Sequence, residues 1–269
     1  MTILAPRPTT SDTAAAVVRR HWRGVRELGF IALMYVAYAA SRVFADDSLA
    51  PARDRAMRIL SLEDNVFLDV ERDVVSWFVT HDVAGRLAAY YYASAHYLVT
   101  AVVLLWLYRR RASLYPHARQ VLIGSTLVAL VGYLLMPTAP PRLVGYPDLM
   151  ALHADSGWWG EAASAPQGMG WLTNQLAAFP SMHAGWALWV ALAVTAATTS
   201  RTIRTAAWAH ALITSVVVVG TGNHWLLDVL AGWGIVFLAW RTVSPTADEQ
   251  TVLTPRERDL VAGGSLSGA

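Results

Sequence analysis

The chain has 269 residues, 55% of them hydrophobic and only 15% charged. Soluble domains carry about 25% charged residues, so this balance points to a membrane protein. There is no Cys and every one of the 21 basic residues is Arg, which excludes thiol nucleophiles, disulfides, thiolate metal sites, a P-loop lysine and a Schiff-base lysine, while a formal charge of +2 gives no reason to expect a nucleic-acid partner.

In chain order, residues 1–27 carry five arginines and read as a cytoplasmic tail. A bilayer-crossing helix needs about 20 mostly apolar residues. Six stretches approach this, at 28–44, 84–107, 119–136, 184–199, 203–220 and 225–240. The first ends in small residues, as cleaved signal peptides do, but its leader is long and an uncleaved helix is expected. Between the first two spans, the segment 53–79 places Met57, Leu60, Val66, Phe67, Val70, Val74, Trp77 and Phe78 at helical spacing among many acids. It predicts one or two amphipathic helices, lying on the bilayer or folded over the bundle. Glu63 and Glu71 are expected there on a solvated face. Residues 137–178 form a long loop rich in Pro, Gly, Trp and Ala, and the adjacent Trp158 and Trp159 suggest a lid that touches lipid. Residues 242–269 are expected to form a disordered cytoplasmic tail. The expected fold class is all-α: an integral membrane six-helix bundle at 28–241, with an exterior amphipathic helical segment and a long exterior loop.

The arginines orient this arrangement. Fourteen lie on one side: Arg7, Arg19, Arg20, Arg23, Arg26, Arg109, Arg110, Arg111, Arg119, Arg201, Arg204, Arg241, Arg256 and Arg258. The positive-inside rule then puts both termini in the cytoplasm and exposes 46–83, 137–183 and 221–224 to the exterior of a plasma membrane.

Ionisable residues at a membrane edge are functional candidates, and three stretches gather them at the same exterior end of the bundle. They are Pro137-Thr138-Ala139-Pro140-Pro141-Arg142, Phe179-Pro180-Ser181-Met182-His183 and Gly222-Asn223-His224-Trp225-Leu226-Leu227-Asp228. His224 and Asp228 are four apart and share a helical face. A carboxylate there can take the proton of one imidazole nitrogen and leave the other as a nucleophile. His183, at a helix start, is placed to protonate a leaving oxygen. Helix N-termini offer N–H groups to an anion, and the planar fork of Arg142 suits phosphate. Together these residues suit phosphoryl transfer.

The last two stretches resemble the second and third signature motifs of the phosphatidic acid phosphatase type 2 superfamily, a metal-independent family with a six-helix membrane core. The resemblance covers about Arg55 to Arg241. It implies that His224 is the nucleophile of a phosphohistidine intermediate, Asp228 the acid that orients it, His183 the general acid and Ser181 a phosphate-binding hydroxyl. The chain departs from the phosphatase pattern in four places, the first being Leu143 where that pattern has Pro after the Arg. Leu135 stands where that pattern has Lys, Val217 and Val218 stand where it has Ser-Arg, and Met182 replaces a Gly. It looks more like the divergent branch that includes inositol phosphorylceramide synthase, which moves a phospho-headgroup between lipids. Phosphate binding would then rest on Arg142 with Ser181 and Asn223. The branch tends to carry a Tyr-x-x-x-His pair, matched by Tyr92 and His96, which makes them candidate substrate-lining residues.

The implied partner is a lipid phosphate in the bilayer, with no cofactor and no metal. The activity expected is a phosphotransferase or phosphatase. A simple lipid-phosphate or polyprenyl-phosphate phosphatase is the first alternative. A transporter with a His/Asp relay, or a metal site built from His96, His183, His224 and Asp228, is the next. His21, His81, His117, His153 and His210 show no partner at useful spacing.

Overall fold

The computed structural model describes residues 48–160, 163–166 and 174–243, with scattered positions between 24 and 40 and Pro255. The chain divides into two units, 1–43 and 44–269. In the first, the described positions, 36–40 among them, are helical. Both ends of the expected span at 28–44 lie outside the described residues, as do His21 and nearly all of the tail beyond 243.

The second unit is helical. Two helices, α1 (Leu49–Asn65) and α2 (Glu71–Thr80), precede the long α3 (Asp82–Arg110) and α4 (Tyr115–Leu135). A short α5 (Leu149–Leu152) and a two-stranded antiparallel ribbon, β1 (Trp159–Gly160) with β2 (Ala163–Pro166), follow in the 137–178 segment. The chain closes with α6 (Met182–Ala197), α7 (Arg201–Gly220) and α8 (Leu226–Thr242). The five expected spans in this unit are therefore helices whose ends differ from the sequence reading by a few residues. Caps explain several of the boundaries. Pro116 opens α4, where its missing N–H costs nothing. Ser181 and Ser200 cap α6 and α7 by accepting the Ala184 and Ile203 N–H groups. Asp82 starts α3 and Arg109–Arg110 end it, in the sense the helix dipole favours.

Among the described residues, three helices, α3, α4 and α7, are long and apolar enough to cross a membrane. Their outward faces carry Leu98, Val102, Leu127, Val131, Leu212 and Ile213, all exposed. These residues suit lipid and would be a liability in water. In α6, by contrast, 12 of 16 residues are buried. A helix that is apolar all round belongs in the middle, and α6 packs on α3, α4, α7 and α8. Small residues let it do so at close range. A Cβ on Gly232 of α8 would stand 2.1 Å from the Ser181 carbonyl oxygen, so only Gly permits this crossing. At 29 residues, α3 is about 43 Å long. This exceeds a hydrocarbon core of about 30 Å, so one end of α3 extends beyond the apolar layer. Its N-terminal half carries α2 and α5.

Helices α1 and α2 fold over the bundle, α1 against α8 and α2 against α7 and α3. The face they bury agrees with the expected stripe at Leu60, Val74 and Phe78 and differs from it elsewhere. Ala52, Ala56, Glu63, Glu71, Val75 and Phe78 point inward. Met57, Val66, Phe67 and Trp77, expected on the packed stripe, are exposed. The small alanines seat α1 on Ala139, Leu176 and Trp225, where larger side chains would not fit. The lid reading of 137–178 also changes. Trp158 is half exposed, but Trp159 is fully buried and its indole N–H donates to the Met150 carbonyl at 2.8 Å. It stacks edge-on against Tyr90 of α3, so it serves the protein core and not lipid.

Candidate active site

The three motif stretches meet at one end of the bundle, joined mainly through the backbone. The Thr138 N–H donates to the Leu176 carbonyl at 2.6 Å and the Ala178 N–H to the Thr138 carbonyl at 3.3 Å. The Arg142 N–H reaches the Gly222 carbonyl at 2.9 Å, and the Ser181 N–H reaches the Asp228 carbonyl at 2.9 Å. The Trp225 indole N–H donates to the Ala139 carbonyl at 3.0 Å. Gly222 turns the chain with φ +72 and its missing Cβ would sit 2.6 Å from the Pro147 carbonyl oxygen. A side chain there would be both strained and blocked.

His224, buried just ahead of α8, projects between these stretches. Its Nδ1 lies 2.8 Å from the Ala178 carbonyl oxygen and 3.5 Å from Asp228 Oδ2. A carbonyl only accepts, so Nδ1 carries the hydrogen and Nε2 keeps the free lone pair. The closer partner is thus the Ala178 carbonyl, which sequence analysis did not find because a backbone oxygen has no letter of its own. Asp228 Oδ2 accepts the Trp225 N–H at 2.8 Å, while its Oδ1 is buried with no hydrogen-bond partner among the described residues.

His183, on the first turn of α6, sets its ring 5.5 Å from that of His224. On its other side it stacks on Tyr92 at 4.5 Å and meets His96 at 3.9 Å. His96 is buried and directs Nδ1 at the Tyr92 carbonyl, 3.1 Å away. Tyr92, His96 and His183 line a narrow cleft with Tyr91, Val217 and Val218. The two valines are apolar where the phosphatase pattern has Ser and Arg. Leu135, where that pattern has Lys, is exposed at the end of α4.

Arg142 is nearly buried and already engaged. Its Nε donates to Asn223 Oδ1 at 2.9 Å, its Nη1 to Gln175 Oε1 at 3.3 Å, and Asp148 Oδ2 lies 3.7 Å from Nη1. Asn223, expected to touch phosphate, here holds Arg142. Ser181 is fully buried and its oxygen caps α6 at 3.4 Å from the Ala184 nitrogen.

The N-terminus of α8 offers nothing to an anion. Its three leading N–H groups are taken by three acidic side chains: Trp225 by Asp228 at 2.8 Å, Leu226 by Glu71 at 2.7 Å and Leu227 by Glu63 at 2.7 Å. Glu63 and Glu71 are fully buried, which corrects the expectation of a solvated face. Burial pushes Glu63 up to about 8, against the lowering effect of the Leu227 N–H, and the charges of Glu71 and Asp228 add to the rise. Burial raises Glu71 too, opposed by the Leu226 N–H.

The other described histidines also have partners: His153 Nδ1 lies 4.0 Å from Asp82 Oδ1, and the His117 ring meets Trp240 edge-on at 4.8 Å. The Tyr91 hydroxyl lies 2.6 Å from His210 Nδ1, and the His81 Nδ1 lies 2.8 Å from the Trp77 carbonyl. Among the described residues, no group of three His, Asp or Glu is arranged to hold a metal ion.

Apolar helices of spanning length, with two histidines, a buried aspartate and an arginine gathered at one end, define a helical membrane protein with an embedded polar site. A family model described as the PAP2 superfamily matches residues 57–242, and the chain belongs to that superfamily. Membership marks it as a membrane enzyme of the phosphatase and phosphotransferase kind. No curated protein and no solved structure gives a match.

Proposed function

We propose that the protein is a lipid-phosphate phosphotransferase or phosphatase that works through a phosphohistidine on His224, at the exterior face of the plasma membrane. The observation that carries this reading is the Nδ1 contact of His224 with the Ala178 carbonyl, which leaves Nε2 as the free nucleophile beside the His183 ring. Nε2 attacks phosphorus, the bond from phosphorus to the leaving oxygen breaks, and His183 gives that oxygen its proton. Water or a lipid alcohol then attacks the phosphohistidine, returning its proton to His183 and freeing Nε2. Asp228, 3.5 Å from Nδ1, offsets the positive charge that develops on the imidazole.

Phosphate would be held by the remaining Nη2 of Arg142 and by the N–H groups of Met182 and His183 at the start of α6. The acidic side chains bound at the start of α8 leave no donor there. The valines at 217 and 218 favour transfer within the divergent branch that resembles inositol phosphorylceramide synthase, since they remove the cation on which the common phosphatase pattern relies. Six spans, with a catalytic domain at 28–241 and both termini cytoplasmic, complete the reading.

The test is a panel of labelled lipid phosphates given to purified protein with a mixture of acceptor lipids, reading both free phosphate and new phospholipid. We expect label on wild-type protein after an alkaline denaturing quench, lost on acid treatment, with new phospholipid as the main product, and neither from His224→Ala. Turnover by His224→Ala near the wild-type rate would remove the nucleophile assignment, and free phosphate as the sole product would remove the transferase branch.

A further inference from the structure

Glu63 and Glu71 take no part in the chemistry proposed above, yet they are among the most deeply buried side chains of the protein. They come from α1 and α2, the two helices folded over the bundle, and reach across more than 150 residues of sequence to α8. Each spends Oε1 on a backbone N–H at 2.7 Å, and the two acid side chains hydrogen-bond to each other. A buried pair of acids is costly to keep. An apolar residue in either place would leave a first-turn N–H of α8 without its partner.

What the acids hold gives the reason. Leu226 and Leu227 lie between His224 and Asp228, on the single turn that fixes both. With Asp228 on the Trp225 N–H, three acidic side chains accept from three consecutive donors and hold the turn. His224 precedes that turn, and its Nδ1 must meet the Ala178 carbonyl on a different segment. The other charged or titratable groups near the pair are Asp69 and Arg72, on or beside α2, and Tyr146 from the loop. Arg72 sits over the Tyr146 ring at 5.2 Å, and Tyr146 packs edge-on against Trp225.

We infer that Glu63 and Glu71 are positioning residues for His224, acting through the Leu227 and Leu226 N–H groups to fix the first turn of α8. This rests on the assignment of His224 as nucleophile for its effect on turnover, but its geometric half stands alone. The two helices ahead of α3 thereby become part of the site, not an accessory to it.

The experiment compares Glu63→Ala, Glu63→Gln, Glu71→Ala and Glu71→Gln in the full chain, in detergent, with histidine ring nitrogens labelled. The His224 signal is assigned by its loss in His224→Ala. Each Ala variant should shift the His224 Nδ1 resonance and lower kcat at least about ten-fold with KM within about two-fold, as a displaced catalytic group does. Each Gln variant keeps an oxygen for the N–H, so it should restore the resonance and hold kcat within about three-fold of wild type. If an Ala variant does not fold, the Gln variants still decide. A folded Gln variant with a displaced His224 signal and kcat reduced ten-fold or more overturns the inference. So do Ala variants with a wild-type His224 signal. The resonance needs no substrate. A wild-type chain that turned over no lipid phosphate would therefore sink the functional reading, while the His224 signal would still judge this one.

Discussion

At the scale of single residues, the proposed chemistry needs the His224 ring held with one nitrogen free. The Ala178 carbonyl meets this need by geometry, and Asp228 adds charge from slightly further away. His183 differs: its ring stacks on Tyr92 and crowds His96, and this packing fixes its plane. If His183 protonates the leaving oxygen, its loss should matter only when that oxygen needs a proton. His183→Ala should lower kcat by about 10²- to 10⁴-fold on an alkyl phosphate, and by far less on an aryl phosphate with an acidic phenol. Equal losses on both substrates would reassign His183 to phosphate binding. The side chains of this site were legible because polar letters at the ends of apolar runs stand out, and the topology drawn from those runs brought the stretches together. The partners were less legible. Arg142 looked like a free cation, and only the fold reveals that Asn223, Gln175 and Asp148 already hold it. Nothing in the letters 178 or 181 distinguishes a carbonyl that orients a histidine from an oxygen that caps a helix.

At the scale of elements, α1 and α2 show why amphipathicity alone misleads. The apolar letters at 57, 66, 67 and 77 suggested the packed stripe, yet the stripe in contact with the bundle runs through Ala52, Ala56 and Glu63, and through Glu71, Val75 and Phe78. These fall at helical intervals of four, seven and three residues, so the pattern was present. It was masked because an acid counts as solvated in any hydropathy reading. The buried acid has a consequence for stability. In the folded chain Glu63 stays protonated up to about 8, whereas its ordinary value is 4.5. The folded state therefore binds more protons than the unfolded state between these values, and stability falls as pH rises through that window. It is fully present below about 4.5 and is lost as pH passes about 8. Thermal unfolding in detergent should show a midpoint that declines across this range. Glu63→Gln, which has no proton to lose, should flatten the decline. Parallel slopes for wild type and Glu63→Gln would show that the pH dependence comes from elsewhere.

At the scale of the whole molecule, the argument turns on sidedness. The loops of the second unit that carry most arginines, at 109–119 and 201–204, lie at the opposite end of the helices from His224, because α3 and α7 start and finish at opposite ends. Under the proposed topology, the positive-inside rule would put His224 outside. An exterior site would draw lipid phosphates from the outer leaflet and release products away from the cytoplasm. The absence of Cys makes this directly measurable, since any introduced thiol is the only one. Asn65, exposed at the end of α1, and Ala112, exposed in the turn between α3 and α4, lie at the two ends of the bundle. In intact cells a membrane-impermeant maleimide should label Asn65→Cys and spare Ala112→Cys until the membrane is opened. The reverse pattern would put the site in the cytoplasm and make the arginine asymmetry a coding bias. Labelling of both in intact cells would mean that α3 does not cross the bilayer as a single helix. The method also reaches the first unit, since a thiol in the N-terminal tail should behave as Ala112→Cys does if a span at 28–44 separates that tail from α1.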